Sequence, residues 1–165
     1  GDNDCRKKFW FNVGGKTTKK TPDYAEGMGP TNTLRISEAY LNRAEAYAQM
    51  DKTNEALADL NDLRRCRITG YEDISIENVT DLLDEVRWER RLELCYDEQR
   101  WFDLRRYGMP SISHKYKAKK VDSWLMFTLK EKDPLYTIPF STTMIMNNNR
   151  LEQNVSAYEP ERKGI

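Results

Sequence analysis

The densest run of reactive side chains lies between residues 87 and 106. It reads Arg87-Trp88-Glu89-Arg90-Arg91-Leu92-Glu93-Leu94, then Asp97-Glu98-Gln99-Arg100-Trp101-Phe102-Asp103-Leu104-Arg105-Arg106. Two carboxylates such as Glu89 and Glu93 could serve a glycosidase, where one acid donates a proton and the other attacks or activates water. Their spacing argues against that chemistry. Residues four apart on a helix point along one face, whereas glycosidase carboxylates flank a bond from opposite sides. The favoured reading is a network of ion pairs and bidentate Arg–carboxylate hydrogen bonds that locks two successive helices together. Its expected members are Glu89, Arg90, Glu93, Arg100 and Asp103, and the last two can meet three residues apart on one helix. A carboxylate neutralised in this way is a poor acid or base. No catalytic residue is therefore assigned, and the chain is expected not to be an enzyme.

Other reactive residue types are sparse. His114 is the only histidine, and without a Cys-x-x-Cys partner it makes no transition-metal site. Cys5, Cys66 and Cys95 are too far apart for a metal motif and too few for a disulfide framework. Cys66 and Cys95 fall in helical patterns and are expected to be small buried apolar residues. No metal and no cofactor are expected. Aromatic residues outside the helical patterns offer a different chemistry. Sugars stack their C–H faces on aromatic rings, and loops on a rigid scaffold usually carry such rings. Trp124, Trp10, Tyr116 and Tyr24 are the candidate ligand contacts, with core packing the competing reading for the two tryptophans. Trp88 and Trp101 lie in helical patterns and are expected to pack.

These residues must be positioned by helices. Ile36, Tyr40, Ala44 and Tyr47 recur at helical spacing and predict a helix over 34–50, with Thr33 as a plausible N-cap. Asp51 to Asn54 is a short turn. Ala56, Leu57, Leu60 and Leu63 predict a second helix over 54–68, closed by Gly70. So short a connection requires the two helices to run antiparallel. Tyr40, Ala44, Tyr47, Ala56 and Leu60 match the aromatic and small-residue places of a tetratricopeptide pair. Leu82, Leu83, Val86, Leu94 and Tyr96 predict a third helix over 78–97, and a fourth covers 99–107 before Gly108 and Pro110. Residues 110–133 lose the helical rhythm and hold strand-like stretches, with a basic run from His114 to Lys120. Pro134 to Pro139 reads as extended, residues 141–147 as a short helix, and the remainder as surface coil. The expected organisation is an irregular region over 1–33, a helical core over 34–107 and an irregular segment over 108–165 packing on the helices.

Bulk properties limit the partners. Lys+Arg and Asp+Glu both number 27, and the net charge of zero argues against nucleic acid as the main partner. Hydrophobic residues at 38% with 11% aromatics are enough for a core. No apolar run approaches the roughly 20 residues that span a bilayer. The chain opens at Gly1-Asp2-Asn3-Asp4-Cys5 without an initiator Met, and is expected to be part of a longer protein whose targeting segment lies elsewhere.

Five segments, in order, resemble the SusD/RagB family. They are Leu34-Arg35-Ile36-Ser37-Glu38-Ala39-Tyr40-Leu41-Asn42-Arg43-Ala44-Glu45-Ala46, the Arg-rich Leu63-Arg64-Arg65-Cys66-Arg67, Glu89-Arg90-Arg91-Leu92-Glu93-Leu94, Arg100-Trp101-Phe102-Asp103-Leu104-Arg105-Arg106, and Leu135 to Pro139 followed by Asn149, Leu151, Gln153 and Asn154. Asp4 and Arg6 resemble the family's Asp and Arg just upstream. Where the family often has Glu-Gly before the fourth segment, this chain has Glu98-Gln99. The resemblance implies an all-α, SusD-like fold with tetratricopeptide-like helix pairs and long irregular loops. It implies a lipoprotein on the outer face of an outer membrane, attached by an N-terminal lipid anchor absent from this chain. It also implies an oligosaccharide or peptide nutrient as ligand and a SusC-like TonB-dependent transporter as partner. The alternatives are a tetratricopeptide scaffold binding protein partners and, less favoured, a glycoside hydrolase.

Overall fold

A computed structural model describes residues 3–6, 35–117, 119 and 122–158. The chain divides into two compact units, Gly1–Arg100 and Trp101–Ile165. Its class is all-α, relieved by one two-stranded sheet.

Among the described residues the first unit holds α1 (Ile36–Gln49), α2 (Thr53–Arg65) and α3 (Leu82–Glu93), with a 3-10 turn over Ile76–Asn78. The turn between α1 and α2 contains Asp51 at a φ of 58°. Leu41, Ala44, Leu60, Leu63 and Val86 form the core, with Ile74 and Leu82 packed against it. Ala44 and Ala56 are fully buried, which lets the antiparallel backbones of α1 and α2 approach closely. The buried residues of α2 include all of Ala56, Leu57, Leu60 and Leu63, the stripe its periodicity predicts.

α1 departs from its predicted stripe. Its buried residues are Ser37, Leu41, Ala44 and Glu45, while Ile36 is 80% exposed and Tyr40 and Tyr47 are half-buried. The helix is turned by about one residue because its inward face carries polar groups. Its N-cap is Arg35, in extended backbone and without a side-chain cap bond; Thr33 lies outside the described residues. α2 likewise begins after Lys52 without a side-chain cap. α3 starts later than predicted, at an Asp81 cap whose carboxylate accepts from the Asp84 N–H at 3.0 Å. It ends earlier, at Glu93, because Tyr96 and Glu98 take φ values of 64° and 61° that no helix accommodates. Tyr96 is therefore 62% exposed rather than part of the apolar face. Cys66 is exposed too, because α2 stops at Arg65 and leaves it at the C-cap; Cys95 is half-buried.

The N-terminal turn is stitched to the end of α2. Asp4 bridges Ile68, the Cys5 N–H donates to the Arg67 carbonyl at 2.8 Å, and the Thr69 N–H donates to the Asn3 carbonyl at 3.0 Å. Arg6 is thereby held in the interior, only 4% exposed.

The second unit holds nearly all of α4 (Arg100–Arg106), then strands β1 (Ile112–Tyr116) and β2 (Leu125–Leu129), a 3-10 turn over Pro134–Tyr136, helix α5 (Thr142–Asn147) and a 3-10 turn over Val155–Tyr158. The strands form an antiparallel hairpin in the register Ile112↔Leu129, His114↔Phe127, Tyr116↔Leu125. Pro134–Tyr136 is not the extended run predicted. Asp133 caps it by accepting from the Leu135 N–H at 3.0 Å, and proline suits the first helical position. The turn buries Tyr136 completely, stacks it on Trp101 at 5.0 Å and lets its hydroxyl donate to the Pro110 carbonyl at 2.5 Å. Trp101 thus packs as predicted. The C-terminal coil is fastened by amides. Gln153 accepts from the Phe140 N–H and donates to the Phe140 carbonyl, both at 2.9 Å, and Asn154 donates to the Ile138 carbonyl at 2.9 Å.

Candidate functional site

The inward face of α3 carries Val86, Glu89, Arg90 and Glu93, all buried. Three of these are charged, so burial is tolerable only if each finds an opposite charge and a full set of hydrogen bonds. Glu89 accepts from Arg6 Nη1 at 2.6 Å on one oxygen and from Arg64 Nε at 2.7 Å on the other. Glu93 is gripped more heavily. Arg67 reaches both its oxygens, at 2.8 and 3.0 Å, in the bidentate fork that guanidinium favours. Arg35 adds a bond at 3.1 Å and Arg6 another at 3.2 Å. Arg6 also forks onto Asp4, with Nη2 donating at 2.7 Å, and Arg64 reaches Glu85 at 2.6 Å. Arg35 Nη1 extends the chain to Asp97 at 2.5 Å.

Burial alone would raise the Glu93 carboxyl. The hydrogen bonds and charge of Arg67, helped by Ser37 and Arg35, outweigh it and hold the group below its ordinary value of 4.5. Asp4 is likewise held below its ordinary 3.8, Arg6 overcoming a desolvation that works the other way. Arg6 and Arg64 are correspondingly pushed up, despite their own desolvation, by the hydrogen bonds and charges of Asp4, Glu85 and Glu89. A carboxylate with guanidinium on both oxygens is poorly placed to exchange a proton with a substrate. The cluster is a clamp, joining the N-terminal turn, the start of α1 and the end of α2 to α3.

Among the described residues, Arg6, Arg35, Arg64 and Arg67, all upstream of α3, hold Glu89 and Glu93. Arg90 turns to α1, donating to Asn42 at 2.7 Å and lying 3.6 Å from Glu38. Asp103 is buried on α4 and accepts from Arg106 at 3.0 Å; Arg100 sits exposed at the start of that helix. The sequence signals for the missed partners were Asp4-Cys5-Arg6, Arg35 and the Arg-rich end of α2.

The candidate ligand aromatics lie elsewhere. Trp10 and Tyr24 are outside the described residues. Trp124 and Tyr116 belong to the hairpin and are 60% and 58% exposed. The alternation of the ladder assigns them to different faces. Tyr116 shares a face with His114 and Phe127 and meets the Phe127 ring edge-on at 6.1 Å. Trp124 lies just before β2, with the Lys117 ammonium 4.7 Å from its ring centroid. Trp88, expected to pack, is half exposed, with Arg91 over its ring at 5.4 Å.

A cleft of about 450 Å³ opens between the start of α1 and the end of α2, lined by Ile36, Ser37, Tyr40 and Arg65 among others. It contains none of the predicted ligand residues, and Arg65 is paired there with Asp62 and Asp73. Among the described residues no group of His, Cys, Asp and Glu is arranged to hold a metal ion, and no helix is long and apolar enough to cross a membrane.

Residues 6–158 match the family model described as the SusD family. A search of curated proteins gives no match. A protein from Bacteroides vulgatus ATCC 8482, provisionally named a sugar binding protein, superposes with a TM-score of 0.68 at 24% identity, covering 93% of this chain and 36% of its own. The selenomethionine form of BT4246 superposes with a TM-score of 0.57 at 23% identity, covering 79% of this chain and 25% of its own. At these identities the likeness is one of fold. The chain spans roughly a quarter to a third of the solved chains it matches.

Proposed function

The chain belongs to the SusD family, and from that premise we propose that it is the helical portion of a cell-surface, outer-membrane lipoprotein that binds an oligosaccharide and hands it to a SusC-like TonB-dependent transporter. The observation that carries this reading is the extent of the family match, from Arg6 to Tyr158 across every described element. Two features of the molecule support it. The Glu89 and Glu93 carboxylates are committed to arginine, which favours binding over turnover. The exposed rings of Trp124 and Tyr116 suit sugar stacking. Trp10 and Tyr24 belong to the same proposal from the sequence. A peptide is the second ligand class, since exposed aromatics serve it equally well. The buried Ala44–Ala56 approach of α1 and α2 favours one other reading, a tetratricopeptide scaffold for a protein partner.

Affinity electrophoresis of the purified chain through gels containing polysaccharide tests the proposal. Retardation by at least one glycan, reduced in Trp124→Ala and without release of reducing ends, is the expected result. Migration unaffected by every glycan, or turnover abolished by Glu93→Gln, would refute it.

A further inference from the structure

The chain is neutral as a whole, but its charge is segregated. Between Ile112 and Lys130 stand Lys115, Lys117, Lys119, Lys120 and Lys130 against Asp122 alone, five positive charges and one negative. The segment therefore carries +4, and the rest of the chain −4 to reach the total of zero. The hairpin arranges this excess. Ile112, Phe127 and Leu129 are half-buried and mark its inner face. The opposite face, by the same alternation, carries the Ser113–Thr128 and Lys115–Met126 pairs. All four residues are exposed, and the two hydroxyls are bonded to one another at 2.7 Å. At the end of this face the Lys117 ammonium lies over the Trp124 ring, whose side chain is largely open to solvent.

We infer that the outward face of the β1–β2 hairpin, where it carries Lys115, Lys117 and Trp124, binds saccharide bearing carboxylate or sulfate groups. The inference rests on the proposed glycan-binding function and specifies its ligand class. An aromatic ring supplies a stacking surface of the kind every sugar uses, so Trp124 alone does not select for charge. Lys117 does. Its ammonium stands within about one sugar ring of that surface and is held there by the indole, so an acidic substituent meets a cation already in place. Lys115 continues the positive stripe along the strand, beside the apolar Met126. A neutral glycan would gain the stacking on Trp124 but nothing from the two lysines.

The test measures binding of the full chain to a galacturonate oligomer, a sulfated oligosaccharide, a neutral maltooligosaccharide of similar length and vesicles of anionic phospholipid. Each arm is run at low and high salt, with Lys115→Gln/Lys117→Gln and Trp124→Ala as variants. Both variants change exposed or half-buried side chains outside the core and should leave the circular dichroism spectrum intact. At least one acidic oligosaccharide should bind more tightly than the neutral one. High salt, and separately the double lysine variant, should each weaken it roughly tenfold, while Trp124→Ala weakens acidic and neutral ligands alike. Equal affinity for the neutral oligosaccharide, unchanged by salt or by the lysine variant, would overturn the inference and leave glycan binding standing. Binding to vesicles but to no oligosaccharide would overturn it in favour of a membrane-facing surface. Failure in every arm would remove the proposed function with it.

Discussion

Two charged stretches of this chain are treated in opposite ways by the fold. Around α3, Glu89 and Glu93 are removed from water and each oxygen is matched to a guanidinium. On the hairpin, Lys115 and Lys119 are exposed, and the half-buried Lys117 leans on an aromatic ring. A buried pair is costly to assemble and costlier to break, because losing one partner strands the other in a medium that cannot solvate it. An exposed lysine contributes little to stability and remains able to meet a ligand. Density of charge in a sequence therefore says little about role; burial and partner geometry decide it.

This contrast can be broken by mutation. Glu93→Gln should have the largest effect, because Arg35 and Arg67 lose the negative charge they share. A loss of about 3–5 kcal/mol in urea unfolding is expected, with glycan binding lost only through unfolding. Acid should reproduce part of that loss. The folded Glu93 and Asp4 carboxyls titrate below their ordinary 4.5 and 3.8, so their stabilisation is complete above about pH 5 and fades as pH falls through the lower folded values. The urea midpoint should be flat from pH 7 to 5 and fall below it, less steeply in Glu93→Gln. In the second unit, Gln153→Ala should cost about 1–3 kcal/mol, since it leaves both the N–H and the carbonyl of Phe140 without their amide partner. Lys115→Gln should change stability by less than about 0.5 kcal/mol, which a thermal melt would show as an unshifted midpoint.

The sequence was most legible where apolar periodicity and burial coincide. α2 buries the Ala56, Leu57, Leu60 and Leu63 stripe its spacing announces. α1 defeated the same rule because Ser37 and Glu45 face inward while Ile36 faces out. The acidic residues of α3 announced themselves, but their partners did not. Arg6, Arg35, Arg64 and Arg67 lie 83, 58, 25 and 26 residues away from the carboxylates they hold. Helical spacing relates only neighbours three or four apart, so tertiary structure had to supply those pairings. After α3, Glu98 stands in left-handed backbone at a φ of 61°, which apolar periodicity does not announce. The Asp133–Pro134 start of a 3-10 turn was readable from capping chemistry, but the alternation of prolines and apolar residues masked it. Of the candidate ligand aromatics, Trp124 is exposed although core packing is the weightier reading of its residue type, and Tyr116 is exposed as well. Their assignment to different faces depends on hairpin register, which the sequence alone does not settle.

The account turns on Glu93 and its arginines acting as one clamp, and a double-mutant cycle tests this most directly. Urea unfolding of the full chain, of Glu93→Gln, of Arg67→Met and of the double variant yields their coupling energy. The clamp predicts a coupling of about 1–3 kcal/mol, so that the double variant is more stable than the two single losses added together. Strictly additive losses would mean that the two side chains are not held as a pair, and would contradict the account.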